Sequence, residues 1–220
     1  MSRRLVVLSA GLSQPSSTRL LADRIANAVS AQVTGRGEAL EVEVVEVREL
    51  AHDLATTMTT GGMPPPALVR ARDLVSSADA LVAVTPVFTA SYSGLFKMFV
   101  DALDPDALDG LPVLVAATAG TERHQLVLDH ALRPLFTYLR SVVVPTGVFA
   151  ATSDFGGEGS DALGRRIARA AAELASLLVA EQGAVAGFVA GVEPARRRSS
   201  GTQPDQEVTD FADLLAELGQ

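Results

Sequence analysis

The sequence predicts a doubly wound α/β fold: a five-stranded parallel sheet with helices on both faces. Three observations predict it. Short runs rich in β-branched residues alternate with longer stretches of helical spacing. Five such runs separated by helices argue for a parallel sheet covered on both sides. One run differs: Leu40 to Val47 (LEVEVVEV) alternates apolar and acidic residues, as a half-exposed edge strand does. A chain of 220 residues, 48% hydrophobic with mean hydropathy +0.26, has the apolar content to bury a sizeable core.

The elements follow in order. The start, MSRRLVVLSAGLS, has a basic end and an apolar run that stops at Gly11. That run is too short for a signal peptide and reads as a buried strand over Leu5 to Ala10, so a cytoplasmic location is expected. Ser16-Ser17-Thr18 opens an amphipathic helix from about Arg19 to Val33, broken by Gly35 and Gly37. After the edge strand, Thr56 to Pro66 (TTMTTGGMPPP) reads as a loop, because Pro64-Pro65-Pro66 suits neither a strand nor a helix interior. Ala67 to Ser77 reads as a helix and Ala80 to Val84 as a buried strand. Thr85 to Ser93 is a polar loop, and Gly94 to Leu103 has helical spacing. Val113 to Thr118 is the fourth strand. His124 to Arg140 reads as a long helix with Pro134 as a kink point, Val142 to Phe149 as the fifth strand, and Ser160 to about Glu181 as an Ala-rich last helix.

Right-handed crossovers and a single acidic edge strand, second in sequence, suit the flavodoxin-like order 2-1-3-4-5. A sixth strand could come only from Ala184 to Ala190, a weak pattern. Residues 1–190 are therefore expected to form the domain. Residues 191–220 are expected to form a polar linker, Glu193 to Glu207, and a short amphipathic helix carrying Phe211, Leu214, Leu215 and Leu218. The Arg196-Arg197-Arg198 run reads as part of a solvated tail.

Composition excludes several functions. The absence of Cys removes disulfides, thiol redox chemistry, Fe–S clusters and thiolate zinc sites. The absence of Trp, 5% aromatics and a net charge of −8 argue against a nucleic-acid groove. No segment reads as a membrane span. Asp104, Asp106 and Asp109 lie around Pro105 and Gly110 and read as an acidic turn, so no metal site is expected. His52-Asp53 and Asp129-His130 are adjacent pairs whose members point different ways on a helix, and no catalytic acid or base is assigned. Lys97 is the only lysine among 18 cations, an exception in an Arg-biased chain.

Ligands of open parallel sheets bind beyond the carboxyl ends of the strands, and three loops there stand out. The first runs from Ser9 through Gly11, Leu12 and Ser13 to Ser16, Ser17 and Thr18. Four hydroxyls crowd a helix N-terminus, which suits a phosphate; helix capping alone needs one. The second runs through Thr85, Pro86, Val87, Phe88, Thr89, Ala90, Ser91, Tyr92 and Ser93. Its two rings among small polar residues suit either the wall of a planar heteroaromatic ligand or packing. The third, Thr118, Ala119, Gly120, Thr121 and on to His124, offers backbone N–H groups to a ligand edge. On the residues alone, His124 reads as the start of a helix.

Together, VVLSAGLSQPSSTRLLA, TPVFTASYSGLFKMFVDAL and ATAGTERHQLVLDHALRPLF resemble the NADPH-dependent FMN reductase family, closest to the FMN reductases partnered with luciferase-like monooxygenases. The resemblance covers about Leu5 to Phe155. It implies that Ser9, Gly11, Leu12, Ser16, Ser17 and Thr18 hold the FMN phosphate. Pro86 to Tyr92 would hold the ribityl chain and isoalloxazine, and Thr118 to Thr121 with His124 would face the pyrimidine edge. Where the family pattern reads GSxRxxSxN, Gly11 and Ser13 stand for Ser and Arg and Thr18 for Asn, leaving Arg19 to balance the phosphate charge. The implied activity is hydride transfer from NADPH or NADH to FMN. It needs no protein acid or base, and the reduced flavin passes to a monooxygenase partner. The alternatives within reach of the same motifs are an FMN-containing quinone, azo or chromate reductase and a non-enzymatic flavodoxin-type carrier. The resemblance also implies a homodimer or homotetramer, and Lys97, in the Gly-Leu-Phe-Lys stretch, as an anchor of the second loop, a subunit contact or a chance survivor.

Overall fold

The computed structural model describes residues 2–156, 159–180 and 198–201. β1 (Arg3–Ser9) leads into α1 (Ser17–Thr34), β2 (Leu40–Glu46) and a 3-10 turn (Val47–Leu50). α2 (Ala51–Thr60), α3 (Pro66–Ser76), β3 (Ala80–Phe88), β4 (Ser91–Tyr92) and α4 (Gly94–Asp101) follow. Then come β5 (Pro112–Ala119), α5 (Arg133–Tyr138), β6 (Val142–Val143), β7 (Val148–Ala151) and α6 (Gly159–Ala180). The sheet order is β2-β1-β3-β5-β6, with β7 also paired to β5; all of these pairings are parallel. This is the flavodoxin-like arrangement, with β2 at the edge as its acidic alternation requires.

The two-residue period of each strand divides the core. Val6 and Leu8, Leu81 and Ala83, and Val113, Val115 and Ala117 face one layer, packed on Leu54, Leu68, Val75, Phe96, Phe99 and Phe136 from α2 to α5. Leu5 and Val7, Ala80, Val82 and Val84, and Leu114 and Ala116 face the other, packed on Leu21, Ile25 and Val29 of α1 and Ile167, Ala171 and Leu174 of α6. Both faces are buried, which is why these strands carry continuous apolar runs.

Four expectations are corrected. Thr56 to Thr60 belong to α2 rather than to a loop. Buried Leu54 anchors that helix, the Thr57 and Thr60 hydroxyls donate to the carbonyls of Asp53 and Thr56 one turn back, and Gly61 ends it at φ 61°. The stretch from His124 to Arg140 is not one long helix. It is a 3-10 turn (Glu122–His124), a π turn (Leu128–Leu132) and α5. Pro134 has no N–H to donate to His130, and the wider turn lies just ahead of it. Val142 to Phe149 is interrupted: β5 advances from Val113 to Ala116 while its partner advances from Val143 to Val148, so two extra residues bulge out. Glu173 of α6 closes this bulge by accepting from the Thr146 N–H (2.8 Å) and hydroxyl (2.7 Å). Finally, the polar loop after Val84 is largely ordered as β3 and β4.

Arg198, read as part of a solvated tail, instead donates to the carbonyls of Ser76 (3.1 Å) and Ala78 at the end of α3, where a cation complements the helix dipole. Ala184 to Ala190, most of the boundary between 1–190 and 191–220, and the segment from Phe211 to Leu218 lie outside the described residues. Among the described residues no helix is long and apolar enough to cross a membrane.

Candidate functional site

Parallel pairing brings the three loops together. Ser9 lies opposite Val84, the Ala10 N–H donates to the Val84 carbonyl (3.0 Å), and Pro86 lies opposite Thr118. The loops after β1, β3 and β5 therefore share one end of the sheet, as expected.

The first loop delivers Ser16 as the N-cap of α1, its Oγ accepting from the Arg19 N–H at 3.2 Å. No acidic residue occupies the first turn of α1, so its positive end is uncompensated from within. Two observations fit a phosphate group here. The Ser9 hydroxyl is completely buried and has no hydrogen-bond partner, an unusual condition for a polar atom in a native fold. A Cβ on Gly11 would sit 2.1 Å from Ser16 Oγ, so any larger residue here would push the capping hydroxyl aside. Leu12 and Ser17 are exposed beside them. Thr18 is placed otherwise: its hydroxyl meets that of Thr118 at 2.8 Å, both buried, and so fastens α1 to the end of β5.

Arg19 does not stand free to balance a phosphate. Its guanidinium pairs with Asp23 (2.7 Å) and Glu46 (2.5 Å), and these hydrogen bonds, Asp23 first, hold its pKa above the ordinary value. The expectation that Arg19 supplies the missing charge is therefore corrected.

The second loop is a two-residue hairpin. Val87 pairs with Tyr92 and Phe88 with Ser91, and Thr89 and Ala90 turn the chain at φ 48° and 63°. Positive φ at both turn positions matches the twist of a tight hairpin, but here it falls on residues with a Cβ, a local strain of the kind that gathers at functional sites. Thr85, fully buried, ties the hairpin at its base: its hydroxyl accepts from the Ser93 N–H (3.0 Å) and donates to the Pro86 carbonyl (2.9 Å). Ser93 in turn caps α4 by accepting from the Phe96 N–H. The two rings part company. Tyr92 packs on Phe96, with centroids 5.9 Å apart, whereas Phe88 is 47% exposed at the tip.

Ala119 is half-buried and Gly120 and Thr121 are exposed at the end of β5, and His124 is half-buried in the turn that follows. A cleft of about 390 Å³ joins the second and third loops, between Ala90 and Ser91 on one side and Arg123, His124 and His130 on the other. Asp104, Asp106 and Asp109 form the expected acidic turn: Arg140 pairs with Asp106 and Asp109, and Asp104 accepts from the Asp106 N–H. Lys97 pairs with Asp101 one turn along α4 (2.5 Å), which raises its pKa; it reaches no residue of the second loop by hydrogen bond.

Residues 3–156 match the NADPH-dependent FMN reductase family. The chain belongs to this family. It is 39% identical over 154 residues to an FMN reductase (NADPH) of Pseudomonas aeruginosa, covering 69% of this chain and 78% of that protein. It is 40% identical over 150 residues to the NADH-dependent FMN reductase SfnE of Pseudomonas putida, covering 68% and 77%. An oxidoreductase of Corynebacterium diphtheriae solved by X-ray crystallography superposes with a TM-score of 0.79 at 59% identity, over 81% of this chain and 98% of that one. This FMN reductase family member is an oxidoreductase that uses FMN with NADPH or NADH as electron donor.

Two residues that shape the site have roles the sequence pattern does not assign: Thr85, placed in the second loop without a role, and Arg48. Thr85 had a signal: a lone hydroxyl closing an apolar strand just before a proline. Arg48 had none, because it reaches the first loop from a turn 35 residues further along the chain.

Proposed function

We propose that the crevice formed by the three loops holds FMN, that FMN enters and leaves it as a substrate, and that the reduced flavin supplies a flavin-dependent, luciferase-like monooxygenase. In this reading Ser9, Gly11, Leu12, Ser16 and Ser17 receive the phosphate at the N-terminus of α1. Residues Pro86 to Tyr92 line the ribityl chain and ring, with Phe88 as the exposed wall. Thr118 to Thr121 and His124 border the pyrimidine edge, with Thr18 and Thr118 clamping two of the loops together. The observation that carries the reading is the buried, unpartnered Ser9 hydroxyl beside the open end of a helix: a polar group without a partner in the folded chain calls for one from a ligand.

FMN, when bound, accepts a hydride at N5 from the nicotinamide C4. The chain's own work is to hold, orient and shield it. The hairpin contributes rigidity, since Thr85 fixes both its ends. The backbone after β5 contributes N–H groups that favour negative charge at a ligand edge. The exposed apolar side chains of Leu12 and Phe88, in adjoining loops, support assembly of this end of the sheet against a second copy in a homodimer or homotetramer.

Anaerobic absorbance separates this from a reductase that retains its flavin. Catalytic protein mixed with a large excess of FMN and NADPH or NADH is expected to bleach the whole flavin band. Bleaching of only one equivalent per site, with turnover restored by a quinone, would replace the reading with that of a quinone reductase.

A further inference from the structure

A phosphate at the first loop carries close to two negative charges, and the loop from Ser9 to Thr18 contains no cation. The N-terminus of α1 supplies only partial positive charge, and Arg19 is held by Asp23 and Glu46. The remaining guanidinium at this loop comes from elsewhere. In the parallel register of β1 and β2, Ser9 lies opposite Glu46, so the residues just past β2 emerge beside those just past β1. Val47 and Leu50 of the 3-10 turn are buried and pin it, and Arg48 between them is turned to the first loop. Its Nη1 donates to the Ser13 carbonyl at 3.3 Å. With the Gln14 amide oriented to satisfy both its ends, the Gln14 oxygen accepts from Nη1 and Nη2 at 2.8 and 2.6 Å. Its Nε lies 3.5 Å from Glu46, a carboxylate that Arg19 already engages at 2.5 Å.

We propose that Arg48 is the cation of the FMN phosphate subsite, supplied from the turn after β2 to a loop that has none of its own. The proposal rests on the reading of the first loop as the phosphate site. Arg48 is suited to the task by its fork of N–H donors, only part of which Ser13, Gln14 and Glu46 occupy, and by a side chain 22% exposed, at which charge is incompletely screened. It acts directly, as a charge, and its bonds to Ser13 and Gln14 keep the guanidinium at the loop.

Riboflavin, which lacks only the phosphate, provides the test. Dissociation constants of FMN and riboflavin are measured by flavin fluorescence quenching on the purified full-length chain, on Arg48→Gln and on Arg48→Lys, at low and high salt. The expected result is that Arg48→Gln weakens FMN about tenfold or more, the scale of one charge-assisted hydrogen bond. Riboflavin should change less than twofold, the salt dependence of FMN binding should flatten, and Arg48→Lys should recover part of the loss. Equal weakening of both flavins would show Arg48 to be a fastener of the loop and overturn the proposal. So would an FMN preference that survives Arg48→Gln. If the unaltered chain binds FMN and riboflavin equally well, the first loop is not a phosphate site, and that reading falls together with the proposal.

Discussion

The first and second loops leave neighbouring strands at the same end of the sheet, yet they are held in opposite ways. The second is self-contained. Its turn, its pairing and its tie at Thr85 all lie within Thr85 to Ser93, and Ser93 passes the constraint on to α4. The first is held from outside: Arg48 grips Ser13 and Gln14, Thr118 grips Thr18, and Ser9 is left with an unused hydroxyl. The hairpin is built before a ligand arrives. The first loop is assembled by distant parts of the chain and keeps one buried hydroxyl without a partner. The residues around the first loop are thereby brought together by the sheet register rather than by local sequence.

Substitutions can break this contrast. The largest expected effect is at Gly11. In Gly11→Ala the added Cβ displaces the Ser16 hydroxyl, removing a helix cap worth about 1 kcal/mol and closing the approach to the phosphate; FMN affinity is expected to fall roughly a hundredfold while the fold survives, as read by fluorescence titration beside thermal melting. Next comes Thr85→Val, which keeps the shape but leaves the buried Ser93 N–H without an acceptor. A loss of about 1–3 kcal/mol in urea unfolding is expected, with Thr85→Ser restoring most of it; an unchanged midpoint would show that the hairpin does not depend on its tie. A double-mutant cycle of Thr18→Val and Thr118→Val should give a coupling near 1 kcal/mol, smaller because neither hydroxyl serves a second partner. Ala90→Gly relieves a left-handed residue and is expected to raise stability by about 0.5–1 kcal/mol. Lys97→Arg is expected to change stability by less than about 0.5 kcal/mol and flavin affinity not at all, since Lys97 makes an exposed pair within its own helix.

What was legible in the sequence follows the same division. The strands of the doubly buried sheet, the acidic edge strand and the three loops announce themselves through local pattern. The hairpin did not, because Thr89 and Ala90 adopt positive φ without the Gly or Asn that usually signals it. The turn of helix at Thr56 to Thr60 was hidden by β-branched residues and the prolines beyond them. The bulge before β7 was hidden because its closure by Glu173 is a contact across 27 residues of sequence. Arg19 looked available because its neighbours in sequence do not reveal Glu46, which arrives through β2. In each case the missing information was a partner brought in by the fold.

The proposed FMN site joins three separate loops at a single end of the sheet. Amide hydrogen exchange of the full-length chain, with and without saturating FMN, tests it most directly. Slowed exchange is expected in residues 9–18, 86–92 and 118–124 together, with the strand interiors unchanged. Protection confined to one of these loops, or appearing at the opposite end of the sheet where β1 and β3 begin, would contradict it.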